Sequence, residues 1–256
     1  TELGGSAFNG CIALTDVTLP GGVTAVPDAC FQGCTALVNF IVPDNVTLIG
    51  ERAFQGCTNL KTLTFPASYK AETLSFGLTP FVSCPAFEGY VIEDGASIVR
   101  TEDGTLLAGG GKVLVSLPRD FKDTSYTVPD GVETISDYLF YKNTTITSVT
   151  LPASLKKIGT AAFQGCTKLT SIALPDGFTT LGEHAFDGCS GLKTVTFGQS
   201  LTAVPAYAFS NCSALTAVDL PATVETVGNY AFRGCAKATA LSLKEGLTSI
   251  GSNAFY

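Results

Sequence analysis

Residues 162–182 read Ala-Phe-Gln-Gly-Cys-Thr-Lys-Leu-Thr-Ser-Ile-Ala-Leu-Pro-Asp-Gly-Phe-Thr-Thr-Leu-Gly, and this stretch decides the fold because it recurs along the chain. Counted from its first phenylalanine, apolar residues fall at positions 0, +3, +6, +9, +11, +15, +18 and +22, with Pro at +12 and Gly at +19. The phenylalanine recurs at steps of 23 residues, as Phe8, Phe31 and Phe54 and again as Phe140, Phe163, Phe186, Phe209, Phe232 and Phe255. A fixed period of this length indicates a stacked repeat architecture.

The pattern inside each repeat predicts short strands rather than helices. Positions +9 and +11 are apolar between polar neighbours, which is the period of a strand with one buried face. The proline at +12 has no N–H for a ladder and should end that strand. One repeat cannot bury its own apolar side chains, so neighbouring coils must stack. We expect a solenoid of about ten coils, with parallel strands in a right-handed curved coil and little helix, and with the phenylalanines as a buried spine.

The middle of the chain departs from the period. The step from Phe54 to Phe81 is 27 residues, and two apolar runs surround Gly109-Gly110-Gly111, which predicts a β-hairpin. The expected organisation is one domain over residues 1–256. It has regular then expanded repeats in 1–92, a hairpin-bearing coil in 93–124 and regular repeats in 125–256. Two domains joined by a linker are the alternative. The chain begins in mid-repeat without Met, so we expect a piece of a longer protein.

The strand segment has the form Leu-x-x-Val-x-Leu, for example Leu215, Val218 and Leu220, which matches the strand signature of leucine-rich repeats. The added Ile-Gly-x-x-Ala-Phe-x-Gly-Cys signature resembles the BspA-like class of these repeats, over nearly the whole chain. That resemblance implies a secreted or cell-surface protein of bacteria or some protozoa, and an adhesive role. It carries no site motif that transfers residue by residue.

Composition argues against several classes of function. The net charge is −7 and no cluster of Lys and Arg stands out, so nucleic acid is not an expected partner. No stretch of about 18 apolar residues occurs, so we expect no membrane insertion. No cofactor or metal motif is present. The expected partner is a protein or glycan on a host or neighbouring cell.

The sequence predicts structural rather than catalytic roles for the cysteines and the single histidine. Eight of the nine cysteines recur at +3, where stacked coils would hold their Cβ atoms about 4.8 Å apart, too far for a disulfide. We therefore expect a column of free thiols. Cys30 lies outside the +3 position and is the best candidate for a disulfide, to Cys11 or Cys34. His184 occupies a variable position and is expected to be solvated. Because no catalytic constellation is visible, we expect no enzyme; a carboxylate-based glycoside hydrolase is the residual enzymatic alternative.

A solenoid presents the outward residues of its main strand, positions +8 and +10, as one surface. The candidate interaction face comprises Asp16, Thr18, Thr62, Thr64, Ser148, Thr150, Ser171, Thr194, Thr196 and Asp219. The alternative is a solvated Thr/Ser ladder that only serves β propensity. Aromatic anchors are the side chains that interfaces favour, and Tyr69, Tyr138 and Tyr141 are the candidates.

These observations predict a non-enzymatic, surface-exposed module for protein interaction or adhesion. A structural spacer that presents another domain is the alternative.

Overall fold

The computed structural model describes residues 2–118 and 121–256. The chain divides into two compact units, unit 1 (residues 1–119) and unit 2 (residues 120–256), and each is described by itself. Both are built from short strands and turns. In the described residues the single helical element is a 3-10 turn at Gly109–Gly111. The expectation of one domain over residues 1–256 stays a prediction.

The described strands of unit 1 are β1 (Ala25–Val26), β2 (Asn39–Ile41), β3 (Leu48–Ile49), β4 (Thr62–Phe65), β5 (Ser75–Phe76), β6 (Gly89–Ile92), β7 (Val99–Arg100), β8 (Leu106–Ala108) and β9 (Val113–Ser116). β2, β4 and β6 pair in parallel in one sheet, and β1, β3 and β5 pair in parallel in another. Phe40 lies opposite Leu63, and Leu63 lies opposite Tyr90. The longer step before Phe81 therefore adds residues between the strands, and β4 and β6 still pair in register.

The triple glycine turns a hairpin, as the sequence predicts. β8 and β9 are antiparallel, with Ala108 opposite Val113 across the glycines. All three glycines have positive φ, at 58°, 63° and 96°, a conformation that costs glycine little. β7 pairs antiparallel with β8 and completes a three-stranded meander.

The described strands of unit 2 are β10 (Ser125–Thr127), β11 (Thr134–Ile135), β12 (Ser148–Thr150), β13 (Lys157–Ile158), β14 (Ser171–Ala173), β15 (Thr180–Leu181), β16 (Thr194–Thr196), β17 (Ala203–Val204), β18 (Ala217–Asp219), β19 (Thr226–Val227), β20 (Ala240–Ser242) and β21 (Ser249–Ile250). β10, β12, β14 and β16 form one parallel sheet, and β18 pairs with β20. The second short strands of successive coils also pair in parallel. Each coil therefore lies on the one before it.

The phenylalanines form the predicted spine within each unit. In unit 1 the rings of Phe8, Phe31, Phe54 and Phe81 stack with centroids 5.1, 5.4 and 5.7 Å apart. In unit 2 the rings of Phe140, Phe163, Phe186, Phe209, Phe232 and Phe255 stack at 4.7, 5.1, 5.2, 5.2 and 5.4 Å. Interplanar angles reach only 13° in unit 1 and 9° in unit 2, so these are ladders of nearly parallel rings.

The recurring cysteine hydrogen-bonds to the coil before it. The thiol of Cys189 donates to the carbonyl oxygen of Phe163 at 3.0 Å, and Cys57 makes the same bond to Phe31 at 3.0 Å. All nine cysteines, Cys30 included, are free thiols. Burial raises the pKa of Cys57 to about 12 and that of Cys30 to about 11, so both stay protonated near neutral pH.

The glycine at +19 is required by close packing of the backbone. A Cβ at Gly182 would lie 2.4 Å from both the Gly159 carbonyl carbon and the Thr160 nitrogen of the preceding coil. A side chain at this position would push the coils apart. By contrast, Gly177 in the adjacent turn has open space where its Cβ would stand.

Candidate interaction surface

Each coil turns through a left-handed residue two positions before the spine phenylalanine. In the described residues none of these is glycine, and in unit 2 they include Tyr138, Ala161, His184, Tyr207 and Tyr230, with φ between 51° and 58°. The backbone of the turn is held by the next coil: His184 N donates to Ala206 O at 3.2 Å, and Phe186 N donates to Ala208 O at 2.8 Å. Side chains at this position therefore form a column at the spacing of the coils.

In unit 2 this column carries stacked aromatic rings. The imidazole of His184 lies 4.6 Å from the ring of Tyr207 with 7° between the planes, and Tyr207 lies 4.9 Å from Tyr230 at 16°. All three side chains are half-buried rather than part of the core. Two coils before His184, Tyr138 meets Tyr141 edge to face at 6.0 Å. We call Tyr138, Tyr141, His184, Tyr207 and Tyr230 the aromatic strip.

A polar cluster fixes one end of the ring stack. Asp187 Oδ2 accepts from Gln164 Nε2 at 2.9 Å and contacts His184 Nδ1 at 3.1 Å, while its Oδ1 accepts from Asn211 Nδ2 at 3.1 Å. The cluster joins three successive coils. It holds the His184 ring in place, and 35% of the His184 side chain remains exposed.

Cationic side chains lie over two of the tyrosine rings. The guanidinium carbon of Arg233 is 5.6 Å from the Tyr230 ring centroid, and Lys142 Nζ is 5.0 Å from that of Tyr141. Both distances are within the range of cation–π attraction. Arg233 and Lys142 are exposed, as is Glu183, which lies beside His184 in the same turn. The strip is therefore bordered by both signs of charge.

The tyrosines are concentrated on this surface. Five of the eight tyrosines of the chain occupy the turns of unit 2, either two residues before or one residue after the spine phenylalanine; they are Tyr138, Tyr141, Tyr207, Tyr230 and Tyr256. The equivalent turns of unit 1 carry Ser6, Ala29, Arg52 and Thr79 at the left-handed position. Aromatic rings are thus not needed to form the turn.

The face predicted from the sequence is partly as expected. Ser148, Thr150, Ser171, Thr194, Thr196 and Asp219 are exposed on strands of unit 2, and Thr62 and Thr64 are half-buried on β4. Asp16 and Thr18 are exposed but lie outside the strands. Lys244 Nζ lies 2.9 Å from Asp219 Oδ1, and its hydrogen bond lowers the pKa of that carboxyl. On the strands of unit 2 these residues are exposed small polar groups. The role of this face in binding stays a prediction.

The choice of Tyr69 as an aromatic anchor is wrong. Tyr69 is fully buried, packs edge to face on Phe65 at 5.0 Å and donates its hydroxyl to Val46 O at 2.6 Å. Burial raises its pKa out of the ordinary range. Tyr69 is therefore a core residue. Tyr138 and Tyr141 remain half-exposed and belong to the aromatic strip.

The sequence places Tyr207 and Tyr230 at the same repeat position as His184, but the stacking of the three rings was not predicted. The signal was present, because His184, Tyr207 and Tyr230 are each 23 residues apart, like the phenylalanines. Instead of standing solvated and single, the histidine is stacked on Tyr207 and joined to Asp187.

Other kinds of site receive no support from the described residues. In residues 2–118 and 121–256, no group of three His, Cys, Asp or Glu side chains is arranged to hold a metal ion. No carboxylate in these ranges is buried, whereas a raised-pKa general acid of a glycosidase would need burial. Across the part of the chain that the structure describes, no helix has the length and apolar character to cross a bilayer.

Stacked 23-residue coils, with parallel strands and a phenylalanine spine at one fixed position of the repeat, define a leucine-rich-repeat solenoid. The chain belongs to the family described as the BspA type leucine rich repeat region, which matches in six copies over residues 1–94 and 133–256. No curated protein is similar enough in sequence to count as a relative.

Several solved structures resemble this chain. A leucine-rich repeat protein from Eubacterium ventriosum is 22% identical, with a TM-score of 0.62, and the match covers 91% of this chain and 80% of that one. A leucine rich cell surface protein from Faecalibacterium prausnitzii is 27% identical with a TM-score of 0.49, over 96% of this chain and 62% of that one. The pneumococcal vaccine antigen PcpA is 21% identical with a TM-score of 0.49, over 87% of this chain and 71% of that one. The first of these similarities agrees with the fold.

Proposed function

We propose that this chain is a non-enzymatic interaction module that acts in adhesion outside the cell, and that the aromatic strip of unit 2 is its contact surface. The observation that carries the proposal is the half-exposed stack of His184, Tyr207 and Tyr230 beside Arg233. The extracellular location rests on the resemblance to BspA-like proteins, which are typically secreted or displayed on the cell surface.

The side-chain types of the strip are those of binding sites. Tyrosine and arginine are enriched among the residues that dominate binding energy at protein interfaces. Tyrosine provides a large contact area at a small entropic cost because only two χ angles must be fixed. The predicted Ser/Thr face has the adaptable hydrogen-bonding groups but lacks aromatic anchors.

The backbone conformation at the strip supports a role of the rings in binding. A non-glycine residue in the left-handed region costs about 1 kcal/mol, and bulky residues are uncommon there. Unit 1 fills the same position with Ser6, Ala29, Arg52 and Thr79. Since the turn forms without aromatic residues, binding accounts for their recurrence in unit 2.

The covered ring faces favour a polypeptide partner over a glycan. A sugar ring usually stacks on an open aromatic face, whereas the faces of Tyr207 are occupied by His184 on one side and Tyr230 on the other. The exposed edges and hydroxyl groups suit packing and hydrogen bonding with a protein surface.

Bead adhesion tests the proposal. Beads coated with the chain are applied to surfaces carrying purified fibronectin, fibrinogen, laminin, collagen or a glycan panel, or the chain itself. We expect adhesion to at least one protein surface, reduced at least tenfold by the double substitution Tyr207→Ala and Tyr230→Ala. Thr194→Ala with Thr196→Ala, both exposed on β16 at the outward sheet face, is the matched control and should leave adhesion unchanged. Adhesion that both pairs reduce equally, or no adhesion to any surface, contradicts the proposal.

A further inference from the structure

We infer that the aromatic strip binds the aromatic strip of a second copy of this chain, with the two solenoids antiparallel and the two-fold axis at Tyr207. This inference rests on the proposed function and names the partner of the same surface. It is drawn from the period of the strip and from the order of charges along it.

The period of the strip favours a second copy of this chain as its partner. Successive rings of the strip are 4.6 and 4.9 Å apart, the spacing of stacked β-coils. A ridge of ring edges with this spacing is matched along its length only by a surface with the same repeat. A second copy of the chain has that repeat at every coil, so each ring edge can meet an equivalent position of the partner.

The order of charges along the strip favours an antiparallel arrangement of the two copies. One coil before Tyr207, the strip carries Glu183 and Asp187; one coil after Tyr207, it carries Arg233. A two-fold axis at Tyr207 places the coil of Arg233 in one copy against the coil of Glu183 in the other. The same contact occurs twice because the interface is isologous. Parallel alignment would instead place like charges opposite each other.

The residue types opposite each other across the axis are also compatible. Tyr207, which is half-exposed, meets the Tyr207 of the second copy. The ring of His184 faces that of Tyr230. Tyrosine pairs near the centre of an interface, bordered by charges at the rim, match the usual anatomy of a binding site.

The size of the surface predicts a weak complex. The contacting coils extend about 20 Å at about 4.8 Å a coil, and a strip about 12 Å wide would cover about a third of the roughly 800 Å² per partner of a standard interface. We therefore expect a dissociation constant on the order of 0.1 mM. Many weak contacts between two cell surfaces, each displaying many copies, give strong adhesion through avidity.

Sedimentation equilibrium with charge-swapped variants tests the inference. The wild-type chain, 26.5 kDa as a monomer, should approach the dimer mass as its concentration rises to about 0.5 mM. Arg233→Glu alone and Glu183→Arg alone should each weaken association at least tenfold. An equimolar mixture of these two variants should recover wild-type association, because each contact then joins opposite charges. Recovery on mixing also shows that both variants are folded.

A second measurement locates the axis. In a Cys11→Ser background, Tyr207→Cys should form an intermolecular disulfide under mild oxidation much faster than Thr196→Cys, because only a residue on the axis meets itself. Arg233→Glu in the same chain should slow that reaction.

Two results would overturn the inference: a wild-type chain that stays monomeric at 0.5 mM, or association that Arg233→Glu leaves unchanged. If the chain is monomeric but its beads still adhere to a matrix protein through Tyr207 and Tyr230, the second-copy inference fails and the proposed function stands. If no strip-dependent adhesion occurs to any surface, both fail.

Discussion

Replacing Phe186 by alanine tests the energetic role of the spine. Phe186 is fully buried, and its ring stacks on Phe163 at 5.1 Å and on Phe209 at 5.2 Å, nearly parallel to both. Removing a buried phenylalanine side chain costs about 3–5 kcal/mol. Two ring contacts are lost, and the stacked coils cannot collapse into the space. We therefore expect Phe186→Ala to lower the free energy of unfolding by about 4 kcal/mol, a large part of the stability of an ordinary domain.

Phe255 provides the matched control within the same ladder. Phe255 is 37% exposed, and its ring stacks on that of Phe232 with the centroids 5.4 Å apart. With less area buried, Phe255→Ala should cost about 1–2 kcal/mol. The assay is guanidinium-induced unfolding, monitored by far-UV circular dichroism. The free energies of unfolding are compared with one shared slope for their dependence on denaturant concentration. Equal losses for the two variants, or a loss below about 1 kcal/mol for Phe186→Ala, would refute the assigned role of the spine.

Three further predictions concern the thiols, the glycine at +19 and the buried tyrosine. At pH 8, iodoacetamide should modify the native chain on exposed Cys11 first, because burial keeps thiols such as Cys57, whose pKa is raised to about 12, protonated and inaccessible; intact mass spectrometry counts the adducts. Gly182→Ala should destabilise by about 1–3 kcal/mol through overpacking, whereas Gly177→Ala should be nearly neutral, as measured by thermal unfolding. Tyr69→Phe should cost about 1–2 kcal/mol in the same assay, because it removes a buried hydrogen bond.

Each of these has a contrary outcome. Rapid modification of many thiols in the native state would mean that the cysteine column is open to solvent. Equal tolerance of alanine at Gly182 and Gly177 would contradict the close approach of neighbouring coils. A neutral Tyr69→Phe variant would show that the hydroxyl is not held in the core.

The architecture followed from the 23-residue period because each apolar position has one place in a stacked coil. The 23-residue spacing of the phenylalanines predicted the buried spine, because equal positions of stacked coils lie on one another. The triple glycine predicted the hairpin of β8 and β9, because a tight turn depends on local sequence. The left-handed turns were not predicted. Residues such as Tyr207 and Tyr230 are disfavoured in that conformation, which is held by hydrogen bonds within the turn and to the next coil.

The candidate site was harder to predict than the fold. Tyr69 lies where the period is irregular, so the sequence does not predict its burial, which depends on the packing of Phe65 and on the carbonyl of Val46. His184, Tyr207 and Tyr230 share a repeat position that tolerates many residue types, so the sequence pattern constrains none of them individually. Their significance is evident only when the coils are stacked and the side chains are seen as one column.

The central claim, that each coil lies directly on the one before it, can be tested with one distance. Ser148 on β12 and Ala240 on β20 are exposed, hold the same position in their repeats and are separated by four periods. Spin labels on Ser148→Cys and Ala240→Cys, in a Cys11→Ser background, are measured by double electron–electron resonance. Stacked coils predict a narrow distribution near 19 Å, about four times the spacing between strands. A peak beyond about 30 Å, or a distribution as broad as that of a flexible chain, would contradict the solenoid itself.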